Sequence, residues 1–422
     1  MAALCLAALA GAGTAETLDQ ALEAALAADA RTAASQHQIA AAQAGQSAAR
    51  GLGLPKVALE AVYERLSDEP AFRIHISPLP ATALPFAQRE SAVVHAGVSL
   101  PLYTSGRLTH AAGAADAALE AAQADARRIR QDVRLGAAEA YVSVLRAQRL
   151  LEVAESGVTT LQAHLRDVTA FLERGLVARS DALAARAAAA AAEQDRLRAA
   201  TALDIAQATY NRGLGRALTQ PVQLDELVAT AGPAAPAPGT EVPPAPVERA
   251  ELSGLAHQAR ALQEQAQATR AAGRPQVLLS GGYSAVQNHY LARENIWNIG
   301  VGLRWELFDG GVSQSQADAL AARAQAVTAL RSDLESQIAL QLRASRLMLE
   351  ESRQRIPVAA TAVEQAEENL RVARDRYQSG VGTHTEVLDA EALRMKSRNN
   401  HFNALYDQAL AGLRLRRAQD AL

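Results

Sequence analysis

The sequence predicts an α+β membrane protein that is internally duplicated. Its expected architecture is a long α-helical coiled-coil barrel continuous with a transmembrane β-barrel, with four strands per chain and twelve in a homotrimer. Three observations carry this. One order of segments is written twice with matching spacing. Four short segments alternate apolar and polar residues. The rest is Ala-rich helix, too long and too charged for lipid.

The repeat is visible in three pairs of segments. LPKVALEAVY (54–63) matches RPQVLLSGGY (274–283), LPLYTSGR (100–107) matches WELFDGGV (305–312), and GLVARSDAL (175–183) matches GVGTHTEVL (380–388). The last two pairs share one offset: 311 − 106 and 380 − 175 are both 205. A length kept between copies suits a rigid rod. The Pro55–Pro275 offset is 220, so the first copy carries 15 extra residues between its strands, which suits a loop.

The elements follow in order. Residues 1–15, MAALCLAALAGAGTA, are short, apolar and rich in small residues, as in a signal peptide cut after Ala15, without a positive start. Cys5 is the only cysteine and lies inside this segment, with Leu4 before it, which argues against lipidation. The mature chain then has no thiol chemistry. The first repeat, 16–229, holds a helix from Thr17 to Arg50 opened by the capping box Thr17-Leu-Asp-Gln20, strands over 54–64 and 92–104, a long helix over 107–174 and a return helix over 180–215. Residues 230–247 are a Pro-rich linker. The second repeat, 248–422, holds a helix, strands over 275–286 and 296–308, a long helix over 312–379 and a return helix over 384–422. Pro357 is expected to kink the second long helix.

The strands read as membrane strands because their period is two. Val94, Ala96, Val98 and Leu100 share one face, opposite His95, Gly97 and Ser99; Ile299, Val301, Leu303 and Trp305 share one face, opposite Asn298, Gly300 and Arg304. The apolar set is expected to face lipid and the polar set a wet lumen. Nine of the fifteen aromatics lie within 55–106 and 275–311, which fits interfacial belts. Four strands cannot close a barrel, and lipid does not tolerate open edges, so closure needs several chains. Two chains give a bore that side chains fill, and three leave room for a channel.

The helices are a different material. A helix of about 68 residues is about 100 Å long, over three times the hydrocarbon thickness of a bilayer. Within 117–148, Leu119, Ala122, Ala126, Ile129, Val133 and Ala137 form an apolar seam for neighbouring helices. A net charge of −3 gives no nucleic-acid signature. No nucleophile elbow, zinc-protease or phosphate-loop motif occurs, and the nine histidines lack ligand spacing. The chain is therefore expected to be no enzyme, with no cofactor and no metal.

Two Gly-turns end the long helices. In the second, Thr383-His-Thr-Glu386 reads as a capping box; in the first, Ser180 is the expected cap. Glu386 and Asp389 are three apart and share a helix face.

The duplicated order, WELFDGG and YQSGVGTHTEVLDAE together resemble the TolC family of outer-membrane efflux and secretion channels, over essentially the whole mature chain. The resemblance implies a trimeric conduit in the outer membrane of a Gram-negative bacterium, with its helical part in the periplasm. It also implies a belt of small elements at mid-height, docking to a periplasmic adaptor (membrane fusion) protein, and an inner-membrane RND or ABC transporter as partner. Carried onto this sequence, it places Glu386, Asp389 and Tyr377 at the periplasmic entrance, as carboxylate rings and a latch partner. Tyr377 has packing between helices as its alternative role. The hairpin tips Gly175, Leu176, Val177, Gly380, Val381 and Gly382 are the expected adaptor contact. Gly382 stands where family members often carry a basic latch residue, which puts that latch in question. The implied function is the passive exit duct of a tripartite efflux pump. A type I protein-secretion duct is the alternative, and a periplasmic coiled-coil scaffold is the rival of another class.

Overall fold

A computed structural model describes residues 15–78, 80–227 and 249–422. The expected signal peptide, apart from Ala15, and the expected linker lie outside the described residues. The elements are α1 (Leu18–Ala28), α2 (Ala30–Gly51), β1 (Lys56–Arg65), β2 (Ala71–Ile74), β3 (Thr82–Pro85), β4 (Glu90–Tyr103), α3 (Arg107–Glu173), α4 (Arg179–Gly213), α5 (Ala250–Ala272), β5 (Gln276–Val286), β6 (Asn295–Arg304), α6 (Val312–Gln378) and α7 (His384–Ala418). The long helices α3 and α6 have 67 residues each, and the return helices α4 and α7 have 35 each. Ala, Leu, Arg and Gln, which propagate helix well, fill all four. No described helix is long and apolar enough to cross a membrane.

Two compact units cut across the two repeats, since each unit draws on both. One holds residues 37–123 and 253–332. Its sheet has the order β1-β4-β5-β6, all antiparallel. Directly paired residues lie on the same face of a sheet, so register decides what each face carries. Leu59 pairs with Ala96, Ala96 with Tyr283, and Tyr283 with Trp297; Val57 pairs with Val98, Val98 with Gly281, and Gly281 with Ile299. Val94 pairs with Ala61, Leu100 with Leu279, Leu279 with Val301, and Val277 with Leu303. One face is therefore continuously apolar across four strands. The other carries Glu60, His95, Ser284 and Asn298, with His95 Nδ1 2.8 Å from Ser284 Oγ. β1 and β6 each have one neighbour only among the described strands, leaving two open edges.

Several expectations need correction here. Trp305 is not a strand residue. β6 ends at Arg304, which pairs with Gln276, the first residue of β5, and Pro275 before it has no N–H to extend the ladder. The 15 extra residues of the first repeat are more than a loop. They hold a two-stranded hairpin, β2 with β3, beside which Phe72 and Phe86 stack at 4.5 Å. Segments of four residues are too short to show a period.

The other unit holds residues 1–36, 124–252 and 333–422, of which 1–14 and 228–248 are not described. The single helix expected from Thr17 to Arg50 is two helices. Asp29 is extended between them, and its carboxylate accepts from the Arg31 backbone N–H at 2.7 Å and from that of Thr32 at 3.3 Å, which caps α2. The capping box at Thr17 and Gln20 is present in both directions. The core of this unit gathers Ala21, Ala25, Val133, Ala137, Tyr141, Leu145, Tyr210 and Tyr406. Of the expected seam, Ala126, Val133 and Ala137 are buried, whereas Leu119, Ala122 and Ile129 are half-buried. The Tyr141 hydroxyl lies 2.8 and 2.7 Å from the backbone oxygens of Glu16 and Asp225, which share its one proton, and burial pushes its pKa up to about 12. Arg216 clasps the Glu16 carboxylate at 2.7 Å and holds its pKa down. α6 runs unbroken through Pro357.

Candidate functional site: two helix-hairpin turns

The two turns belong to the second unit and share one backbone design. Gly175 and Gly380 adopt φ of +72° and +74°, the left-handed region where a side chain is costly. In the first turn Gly175 N–H donates to Leu172 O and Leu176 N–H to Phe171 O, both at 2.9 Å. In the second, Gly380 N–H donates to Tyr377 O and Val381 N–H to Arg376 O, both at 3.0 Å. These bonds satisfy carbonyls that the helix end leaves open, which is the Schellman ending. The repeat therefore extends to individual hydrogen bonds.

The return helices start differently. α4 begins at Arg179 with Ala178 at the cap position and no side-chain cap, so the expected cap at Ser180 is wrong. Ser180 lies inside the helix and donates to Asp181 instead. α7 begins at His384, and Thr383 Oγ1 accepts from the Glu386 backbone N–H at 3.3 Å. That is half of the expected capping box. The Glu386 carboxylate turns to Arg376, 3.6 Å away, and both side chains are exposed. Arg376 was not singled out by sequence reasoning, because it precedes the Gly-turn and only the fold of the hairpin brings it beside Glu386. Asp389 is exposed on the same helix.

Behind the turns four helices pack. Val168 of α3, Ala182 and Ala185 of α4, Leu370, Ala373 and Tyr377 of α6, and Val387 and Ala390 of α7 form one buried cluster. Tyr377 is only 5 % exposed, with its ring 5.7 Å from that of Phe171. Burial pushes its hydroxyl pKa up. Its ring packs between the helices. Val177 also packs against the cluster and is half-buried, unlike its neighbours at the tip. Leu176 and Val381 are 68 % and 71 % exposed, and Gly175 and Gly380 are exposed beside them.

Gly382 is crowded rather than open. A Cβ there would lie 2.9 Å from Arg376 Cβ and 3.0 Å from Tyr377 N. Its own N–H donates to Arg376 O at 2.9 Å. A basic side chain does not fit at that point in this packing.

A charged pair that sequence reasoning also missed lies one turn further along α7. Glu391 is fully buried, and Arg394 grips it at 2.7 Å while reaching Ser156 Oγ on α3 at 3.0 Å. Burial pushes the Glu391 pKa up, against the pull of Arg394. The i, i+3 spacing was visible, but nothing in it marks which of many such pairs is buried. Among the described residues, no cluster of three or more metal-ligating side chains occurs.

The sequence matches the family described as outer membrane efflux protein over residues 19–216 and 245–419. No curated protein matches it. Several solved structures are similar in fold. VceC of Vibrio cholerae, an outer membrane protein, is 19 % identical, with a TM-score of 0.81 and coverage of 96 % of each chain. The CmeC outer membrane channel of Campylobacter jejuni is 13 % identical, with a TM-score of 0.82, covering 96 % of this chain and 85 % of that one. The open state of the MtrE outer membrane channel of Neisseria gonorrhoeae is 18 % identical, with a TM-score of 0.75, covering 96 % of this chain and 88 % of that one.

Proposed function

We propose a trimeric exit duct, from the premise that this chain belongs to the outer membrane efflux protein family and is an outer-membrane protein with its helical part in the periplasm. Three copies close one twelve-stranded barrel and conduct substrates passively outward. The observation that carries this is the sheet: one face is apolar across all four strands, and both edges are open. An open edge in lipid leaves backbone groups unpaired at several kcal/mol each. Pairing β1 of one copy with β6 of the next removes every edge, and three copies leave a bore wide enough to conduct. Val94, Ala96, Val98, Leu100, Ile299, Val301 and Leu303 then face lipid, and Trp305 sits just beyond the strand end.

The duct serves a tripartite efflux pump. Its exposed tips, Gly175, Leu176, Gly380 and Val381, meet the periplasmic adaptor, which links it to an inner-membrane RND or ABC transporter. Glu386 and Asp389 line the periplasmic entrance as two rings of three carboxylates, which favour cations. Tyr377 and Gly382 support that entrance from behind, one as packing and one as a close backbone approach. The test is the mass of the unheated, detergent-solubilised protein from outer membranes. Three chains support the duct, whereas a monomer or a soluble protein overturns it.

A further inference from the structure

Behind the tips lies a pair of histidines for which the duct reading has no use. His164 on α3 and His384, the first residue of α7, are 4 % and 6 % exposed. Their rings are nearly parallel, with 7° between the planes, and His164 Nε2 lies 2.9 Å from His384 Nδ1. One of these two nitrogens holds the proton and the other accepts it. Tyr377 of α6 stands edge-on to His164, with ring centres 5.0 Å apart. Among the described residues, neither the Tyr377 hydroxyl nor His384 Nε2 has a hydrogen-bond partner. A further proton entering the pair therefore brings a charge into an apolar cluster, with no acceptor waiting at His384 Nε2.

The charged groups around the pair do not cancel that cost. Asp167 of α3 and Asp181 of α4 favour a cation there, while Arg374 of α6 opposes one at His164. Burial, joined at His164 by Arg374, outweighs the two aspartates. It is the first cause that holds His164 down to about 4 and His384 below the ordinary histidine value.

We propose that His164 and His384 form an acid-sensitive latch that fastens α7 to α3 behind the hairpin tips, closed while both rings are neutral and loosened when the pair takes up a proton. Once the helices separate, the rings regain the ordinary value of 6.5, while packed His164 stays near 4. Below pH 6.5 the separated arrangement therefore binds more protons than the packed one. The closed packing loses stability as pH falls from 6.5 towards 4 and keeps it fully above that window. The latch is a property of the hairpin packing alone. Its consequence, an entrance that loosens in acid, rests on the proposed duct.

The experiment is hydrogen exchange on the full, detergent-solubilised protein between about pH 7.5 and about pH 5, corrected for intrinsic chemical rates. Protection in 160–172 and 380–392 is expected to fall by about tenfold or more relative to the core around Tyr141 to Leu145, since one proton gives up to about tenfold per pH unit. The double variant His164→Gln with His384→Asn keeps a neutral hydrogen bond and cannot titrate, so its profile should be flat. A flat wild-type profile overturns the latch, and so does a double variant that loosens as the wild type does. If the double variant fails to assemble, His164→Gln alone is compared in the same way, and an acid loss equal to wild type overturns the latch. Loosening without any acid dependence of conductance would instead count against the entrance role and leave the latch standing.

Discussion

The turn that joins α3 to α4 and the turn that joins α6 to α7 are built from the same backbone bonds, yet they are finished differently. Both end a long helix with a left-handed glycine and the same pair of carbonyl closures. The first continues into an uncapped helix. The second is capped by Thr383, joined across the turn by Arg376 and Glu386, and closed over a crowded Gly382. Position 177, which is 382 − 205, is Val in the first copy and packs inward. Duplication thus kept what ends a helix and let the side chains diverge. The second turn is the tighter of the two.

Four sets of substitutions break or sharpen this difference. The largest effect is expected from Gly382→Val, which writes the first turn's residue into the second. Contacts near 3 Å with backbone atoms force a shift, and overpacking of this kind costs about 1–3 kcal/mol. Thermal melting and local exchange read it, and a neutral result would mean the second turn is no tighter than the first. Next come Gly175→Ala and Gly380→Ala, each about 1–2 kcal/mol for a left-handed alanine with open space around it. Equal losses are expected, and unequal ones would show that the shared bonds hide unequal strain. Third, Thr383→Ala should cost about 1 kcal/mol, while Ala178→Thr should stabilise by a similar or smaller amount. Both are read as melting shifts, and no gain at Ala178 would show that the first turn cannot use a cap. Smallest is Glu386→Gln, whose exposed pair with Arg376 is worth under about 0.5 kcal/mol. Combined with Asp389→Asn it should leave stability nearly unchanged and lower cation selectivity in single-channel recordings. Unchanged selectivity would remove both carboxylates from the entrance.

Much of the fold was legible because its periods are strong. Alternation from Val94 to Leu100 and from Ile299 to Leu303 identified which side chains share a face, since successive strand residues point to opposite sides. The common offset of 205 located two turns whose helices have equal lengths. Weaker signals failed where a local competitor intervened. The good helix formers around Asp29 predict helix through it, but its carboxylate caps the next helix instead. Residue type predicts a cap at Ser180, although the helix has already begun at Arg179. The Phe72–Phe86 hairpin was too short to carry a period. At the site, the motif around Glu386 and Asp389 was readable, whereas Arg376, Glu391 and the histidine pair were not.

By itself, the sequence determined the duplication, the helix and strand segments, the apolar strand face and the two glycine turns. Each follows from propensity, period or the steric freedom of glycine, which act within a few residues along the chain. Only the tertiary structure decided that Val177 turns inward, that Gly382 has no room for a side chain, and that His164 meets His384. Those facts depend on which helix faces lie against one another, and residues 220 positions apart in the chain share no local rule.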